Sequence, residues 1–209
     1  MKLSASLYAG DPLRLADEVT ALAPWIDSLH VDIMDGHFAP NFGCNEPLVK
    51  ALVRFSPVPV DVHLMVTDPA LWAPRFAGLG VRLIAFHGEA PVEPATVAEA
   101  VRAEGARAYL AVRPSLPVAS AAMHLPAMDG VLMLTAPAGG GDFDPRAFER
   151  LTQLPPGTAI IVDGRIDVDH FPHLKAMGVG TAVIGRSLFS RRGNPGALST
   201  LYALARQTP

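Results

Sequence analysis

Four side chains have the types and spacing of a metal-ligand set: His30 and Asp32 in SLHVDI, His63 in VPVDVHL and Asp163 in TAIIVD. Side chains on a strand alternate with period 2, so His30, Asp32 and Met34 share one face of their segment. Two imidazoles and two carboxylates offer mixed nitrogen and oxygen donors. Such a set suits Zn²⁺ or another first-row divalent ion, provided both imidazoles are neutral. A carboxylate turned inward with no cation beside it is costly to desolvate, so a bound ion would account for acidic residues inside an apolar run. Any one of these histidines alone reads more readily as a hydrogen-bonded core residue; the set of four is what points to a site. His87 and Glu89, in FHGEA, either support that set or are structural, and Asp35, on the opposite face from Asp32, is placed to cap a turn. His37, His124, His170 and His173 read as surface or loop residues.

These residues need elements to bring them together. Eight short apolar, β-rich runs recur, at 3–7, 28–33, 58–64, 81–86, 107–112, 130–134, 158–163 and 181–185. Helical spacing between them predicts helices over 12–22, 46–55, 69–79, 93–104, 145–151 and 168–177. A further helix, the fifth, is expected over 116–124, where Pro117 is tolerable only in the first turn. Gly80, Gly105 and Gly178 stand just before strands four, five and eight, where a helix C-cap or αβ turn wants them. Strict βα alternation implies a parallel sheet covered by helices. Eight units, with no GxGxxG after the first strand, favour closure over an open doubly wound sheet. The expected fold is α/β, a single-domain (β/α)8 TIM barrel over residues 1–209, with spare loops at about 26 residues per unit. In such a barrel catalytic groups gather at the C-terminal ends of the strands, and His30, Asp32, His63, His87 and Asp163 all converge on that mouth.

The 209 residues carry 17 Lys and Arg against 20 Asp and Glu, a formal charge of −3. Nucleic-acid and membrane-surface roles do not fit, since both favour a basic patch and the cations cluster no further than Arg191 and Arg192. Small molecules are the expected partners. Lysine occurs only at positions 2, 50 and 175, which leaves few amines for Schiff-base chemistry. The single cysteine, Cys44, excludes an internal disulfide and a thiolate metal site. No apolar run is long enough to span a bilayer, and Asp11 interrupts MKLSASLYAGD before a signal-peptide apolar region can form. A cytoplasmic protein without membrane contact is expected.

Glycines mark the other half of the mouth. APAGGGDF (136–143) follows strand six, DGR (163–165) follows strand seven and IGRS (184–187) follows strand eight. Loops after strands seven and eight commonly bind phosphate in such barrels, through backbone N–H groups and a short helix N-terminus. Met34, Met65 and Met133 stand at or just past the ends of strands two, three and six, either as adaptable core filler or as pocket lining.

HVDIMDGHFAPN (30–41), DVHLMVTDP (61–69), FHGEA, VDG (162–164) and the segment 185–189, in this order and at these separations, resemble the ribulose-phosphate 3-epimerase family. The likeness runs from Ser4 to Phe189. It implies a (β/α)8 barrel that holds one divalent metal ion, Zn, Fe, Mn or Co, through His30, Asp32, His63 and Asp163. It further implies that Asp32 and Asp163 are catalytic, one removing the proton from C3 of a ketopentose 5-phosphate and the other returning it on the opposite face. The pair interconverted would be D-ribulose 5-phosphate and D-xylulose 5-phosphate, through a metal-stabilised enediolate, within the pentose phosphate pathway of carbohydrate metabolism. Ser6 matches a substrate-contacting serine, and Met34, Met65 and Met133 match methionines around the reacting carbons. The resemblance also implies a homo-oligomer, dimeric or hexameric.

The departures from the family pattern gather at the phosphate end. Where the family has NPGFGGQ this chain has APAGGGD, so Gly140 and Gly141 align with the paired glycines while Ala136 and Ala138 replace the Asn and the first Gly. DGG becomes DGR, keeping Gly164 and placing Arg165 at the second glycine; GS becomes Gly185 and Arg186, displacing Ser187 by one. The two arginines either clamp the phosphate through bidentate hydrogen bonds or fill its pocket and alter the substrate. Two other readings therefore stay open: a 3-epimerase of a ketohexose 6-phosphate such as allulose 6-phosphate, and a non-catalytic metal- and sugar-phosphate-binding protein. Related decarboxylase and aldol-type barrels carry an Asp-x-Lys pair at a strand end. Here Met34 and His63 stand two residues after Asp32 and Asp61, which speaks against that class.

Overall fold

The computed structural model describes residues 1–207. Eight parallel strands close a barrel in chain order: β1 (Lys2–Ser6), β2 (Ser28–Met34), β3 (Val60–Met65), β4 (Leu83–His87), β5 (Arg107–Val112), β6 (Gly130–Leu134), β7 (Ile160–Asp163) and β8 (Thr181–Ile184). Around it lie α1 (Leu15–Leu22), α2 (Glu46–Phe55), α3 (Pro69–Ala77), α4 (Pro94–Ala103), α5 (Val118–Ala122), α6 (Ala147–Thr152), α7 (Phe171–Ala176), α8 (Arg186–Phe189) and α9 (Pro195–Arg206). This is the (β/α)8 TIM barrel that the alternation of patterns predicts. Among the described residues no helix is long and apolar enough to cross a membrane.

Alternation along each strand sorts side chains into two layers. Leu29, Val31 and Ile33 of β2, with Val60, Val62 and Leu64 of β3, face outward into one continuous apolar layer shared with the helices. The inward residues fill the barrel. Leu83, Ala85, Tyr109, Ala111, Leu132, Leu134, Ile161 and Val183 form an apolar cluster there. His30, Asp32 and His63 are buried on the same inner side, and pairing of Asp32 with His63 across β2 and β3 sets them at one level.

Several boundaries differ from the sequence pattern, each for a local reason. α1 starts at Leu15 rather than residue 12, because the Asp11 carboxylate and carbonyl accept from the backbone N–H groups of Leu13 and Arg14 and form a turn first. α6 starts at Ala147 because Asp144 builds a similar turn, accepting from the N–H of Arg146 at 3.0 Å. The helix expected over 168–177 is a 3₁₀ turn, Val168–His170, capped by Asp167, followed by α7. α5 is only five residues long, with Pro117 as its N-cap. β4 extends to His87, which ends that strand rather than following it. Two helices not in the expected pattern follow β8: the single turn α8, and α9, which buries Leu198, Leu201 and Ala205. Gly80, Gly105 and Gly178 all have positive φ in the turns before β4, β5 and β8.

Candidate active site

His30 and Asp32 come from β2, His63 from β3 and Asp163 from the last position of β7. One ligand atom from each lies within 4.8 Å of all the others, so the four residues form a cluster that could hold a metal ion. His30 Nε2 is 3.4 Å from Asp32 Oδ1 and 3.4 Å from Asp163 Oδ2. His63 Nδ1 is 3.2 Å from Asp32 Oδ1 and 3.7 Å from Asp163 Oδ2. The two carboxylates therefore sit across from the two ring nitrogens with a gap between.

The electrostatics of this gap call for positive charge. Burial pushes the His30 imidazole towards its neutral form, but the carboxylates of Asp32 and then Asp163 outweigh it and hold its pKa well above the ordinary value. Burial would likewise raise Asp32, yet His30 and His63 hold it below the usual carboxylate range. His30 Nε2 is buried and has no hydrogen-bond partner, even though it faces both acids. An orphaned nitrogen between two carboxylates is the arrangement a divalent cation satisfies, and two N and two O donors match the preferences of first-row ions. The donor set fits a metal.

Above the cluster opens a cavity of about 1030 Å³. Ser6, Asp32, Met34, His63, Met65 and Asp163 line its floor and one wall; Gly140, Gly141, Gly164, Arg165, Gly185 and Arg186 line the rim formed by the loops after β6, β7 and β8. His30 lies beneath, 2% exposed. Ser6 donates its hydroxyl to Asp32 Oδ2 at 3.3 Å.

Met133 is a correction. It is fully buried with Val131 in the layer between barrel and helices, while Leu132 and Leu134 take the inner positions and Leu134 lines the cavity. Period-2 alternation turns Met133 outward, and its closeness to the strand end hid that direction.

On the rim, Gly164 has φ +118, and a Cβ there would lie 2.6 Å from the backbone nitrogen of Ala136. Only glycine lets the loops after β6 and β7 approach this closely. Arg165 next to it adopts φ +58, the left-handed region, and donates from Nε to the carbonyl of Gly141 at 2.6 Å. Its guanidinium thus ties the two loops together. Arg186 is exposed at the start of α8. Ser187, which also lines the cavity, donates to Asp167 Oδ1 of the loop after β7 at 2.7 Å and accepts from Arg191.

His87 sits behind His63, their Nε2 atoms 2.9 Å apart. Its Nδ1 is buried without a hydrogen bond and faces Glu89 Oε2 at 3.6 Å, while Glu89 Oε1 accepts from Arg113 Nε at 2.6 Å. Phe38, in the loop after β2, packs against His87 with centroids 4.6 Å apart and the rings tilted by 39°, and carries the Arg113 guanidinium over its ring, 4.7 Å from the centroid. Arg113 is a member of this group that the sequence pattern did not mark. Asp35 caps the loop after β2 rather than joining the cluster. His37 is exposed, and His170 stacks on Phe143 and completes the Asp167 capping box.

The family model described as "Ribulose-phosphate 3 epimerase family" matches residues 2–189. The chain belongs to the ribulose-phosphate 3-epimerase family. It is 34% identical over 210 residues to the ribulose-phosphate 3-epimerase of Mycobacterium tuberculosis, covering 95% of this chain and 90% of that one. It is 28% identical over 210 residues to that of Helicobacter pylori, covering 96% of each. Its relatives are thus isomerases, and this chain is an enzyme of that class. Among solved structures it resembles the KGPDC of Streptococcus mutans, with TM-score 0.79 and 15% identity over 98% of this chain and 97% of that one. A 3-hexulose-6-phosphate synthase gives TM-score 0.71 at 18% identity, covering 98% and 99%. At these identities the likeness to the two solved structures is one of fold.

Proposed function

We propose that the enzyme epimerises C3 of a ketose phosphate, interconverting D-ribulose 5-phosphate and D-xylulose 5-phosphate, with one divalent ion held by His30, Asp32, His63 and Asp163. The observation that carries this reading is the placement of two carboxylates, from opposite edges of the β7–β8–β1–β2 wall, on one buried cluster facing one cavity. When bound, a divalent ion would supply Lewis-acid stabilisation of the negative charge that develops on the ketone and neighbouring hydroxyl oxygens.

The acid–base work belongs to the chain. One of Asp32 and Asp163, ionised, takes the C3 proton; the C–H electron pair moves into the C2–C3 bond and gives the enediolate. The other, protonated, returns a proton to C3 from the opposite face, so configuration inverts with no redox change. Ser6 fixes the orientation of Asp32 through its hydroxyl, and Met34 and Met65 give the reacting carbons an apolar, water-poor surround. Phosphate would lie on the rim against Gly140, Gly141, Gly164 and Gly185, with Arg165 and Arg186 supplying positive charge.

These arginines also favour a second reading, the same chemistry on a ketohexose 6-phosphate such as allulose 6-phosphate, because they replace small groups at the end that measures substrate length. The reading as a cytoplasmic homo-oligomer accompanies both. Steady-state kinetics of the metal-loaded enzyme on the two ketose phosphates tests the assignment. Higher kcat/KM on ribulose 5-phosphate supports the pentose reading, higher kcat/KM on allulose 6-phosphate the hexose one, and turnover of neither removes both.

A further inference from the structure

Among the described residues Arg165 is the one residue other than glycine with a positive φ, at +58. A side chain resists the left-handed region and persists there where surrounding contacts over-determine it. The contact here is with the neighbouring loop, where Nε donates to the Gly141 carbonyl at 2.6 Å. That uses one of the five N–H groups of a guanidinium. The two terminal nitrogens make no hydrogen bond among the described residues, and Arg165 lines the cavity, so four N–H groups are left for an anion there. The fork is planar and rigid. An anion that fixes the terminal nitrogens therefore also fixes the direction of Nε.

The loop that Arg165 holds, 136–141, is held from its other side as well. Asn41 Nδ2, in the loop after β2, donates to the Gly139 carbonyl at 2.5 Å, and Ala138 packs against Met34, Ala39 and Met65 beside the cluster. Gly139, Gly140 and Gly141, all at positive φ, give the loop little stiffness of its own, so its position depends on these outside contacts. The other arginines of the cavity do not share this geometry. Arg191 is spent on the carbonyl and hydroxyl of Ser187, Arg192 on Glu18 and the Phe189 carbonyl, and the Arg186 side chain makes no hydrogen bond to another loop among the described residues.

We propose that Arg165 is a positioning residue that couples phosphate binding to closure of the loop after β6: its terminal N–H groups take the phosphate while Nε holds Gly141, so the phosphate end of a ketose phosphate draws the loop down over its reacting end. The inference rests on the reading that the cavity takes a sugar phosphate.

Arg165→Gly tests it with little risk to folding, because glycine adopts this φ without strain. Inorganic phosphate at saturating concentration is the probe, and amide hydrogen exchange at 138–141 is the readout. In the unsubstituted chain phosphate is expected to slow that exchange about fivefold or more, and in Arg165→Gly to leave it unchanged. Arg165→Lys, which keeps the charge without the fork, is expected to give less protection than arginine. Kinetics supply a second readout. Arg165→Gly is expected to lower kcat/KM on ribulose 5-phosphate by about tenfold or more, and to leave that on ribulose, which has no phosphate, unchanged. Phosphate that fails to slow exchange in the unsubstituted chain, or slows it equally in Arg165→Gly, would overturn the inference, as would an equal loss of kcat/KM on both sugars. Protection that is lost in Arg165→Gly, in a chain that turns over neither ketose phosphate, would uphold the coupling and overturn the reading of function beneath it.

Discussion

Asp35 stands three residues beyond Asp32, and its surroundings give it a different task. Its carboxylate accepts from the backbone N–H groups of His37, Phe38 and Thr67, at 2.7–2.9 Å, and from the Thr67 hydroxyl. Burial alone would raise its pKa, but the amides of Phe38, Thr67 and His37 hold it at about 2 against an ordinary 3.8. A carboxylate whose folded pKa is depressed stabilises the fold above the unfolded value, and that contribution is lost as pH falls through the folded one. Asp35→Asn is therefore expected to be less stable by about 1 kcal/mol at neutral pH, with the gap from wild type closing as pH falls from 3.8 to about 2. Urea unfolding across that range measures it; a gap independent of pH contradicts the assignment. The alternation that placed Asp35 and Asp32 on opposite faces was legible in the sequence. The same alternation read at Met133 would have turned it outward.

The elements carry the next scale, and the β7 loop shows what an element end must do. The Thr135 hydroxyl donates to the carbonyls of Asp163 and Gly164, so the loops after β6 and β7 are stitched directly behind a cluster carboxylate. Gly164→Ala puts a Cβ into the backbone of Ala136 at a φ that side chains resist, and is expected to cost about 1–3 kcal/mol. Chemical denaturation reads that loss directly, and a variant as stable as wild type would show that the loops are not pinned here. Strand order and most helices were legible because apolar runs and helical spacing are local signals. The starts of α1 and α6 were not, since Asp11 and Asp144 form turns that compete with the helix. α9 was missed because its buried face exists only once the barrel closes, when Leu198 and Leu201 pack into the outer layer.

At the scale of the molecule, closure creates what no segment contains. Asp61 points into the barrel at the level below the cluster, where Arg82 pairs with it through Nε and one terminal nitrogen and also reaches the Ser28 hydroxyl, itself bonded to Ser4. DVHL thus places one acid in a closed structural pair and leaves His63, two residues on, for the mouth; Arg82 lies 21 residues away and gives no sign of this in the sequence. The four-residue cluster could be read because its members stand at or near the ends of their strands, while the loop contacts of Arg165 and the contacts running from Arg113 to His63 depend on strands meeting around the ring. On the proposed mechanism, the four-residue cluster, loaded with a divalent ion, lets Asp32 and Asp163 exchange the C3 proton. Incubation of the zinc-, iron-, manganese- or cobalt-loaded enzyme with ribulose 5-phosphate in D₂O tests it most directly, with NMR reading deuterium at C3. Deuterium is expected at C3 in the loaded enzyme, with its loss on chelation and restoration when metal is returned. Metal bound at the cluster with no deuterium entering C3 would contradict it.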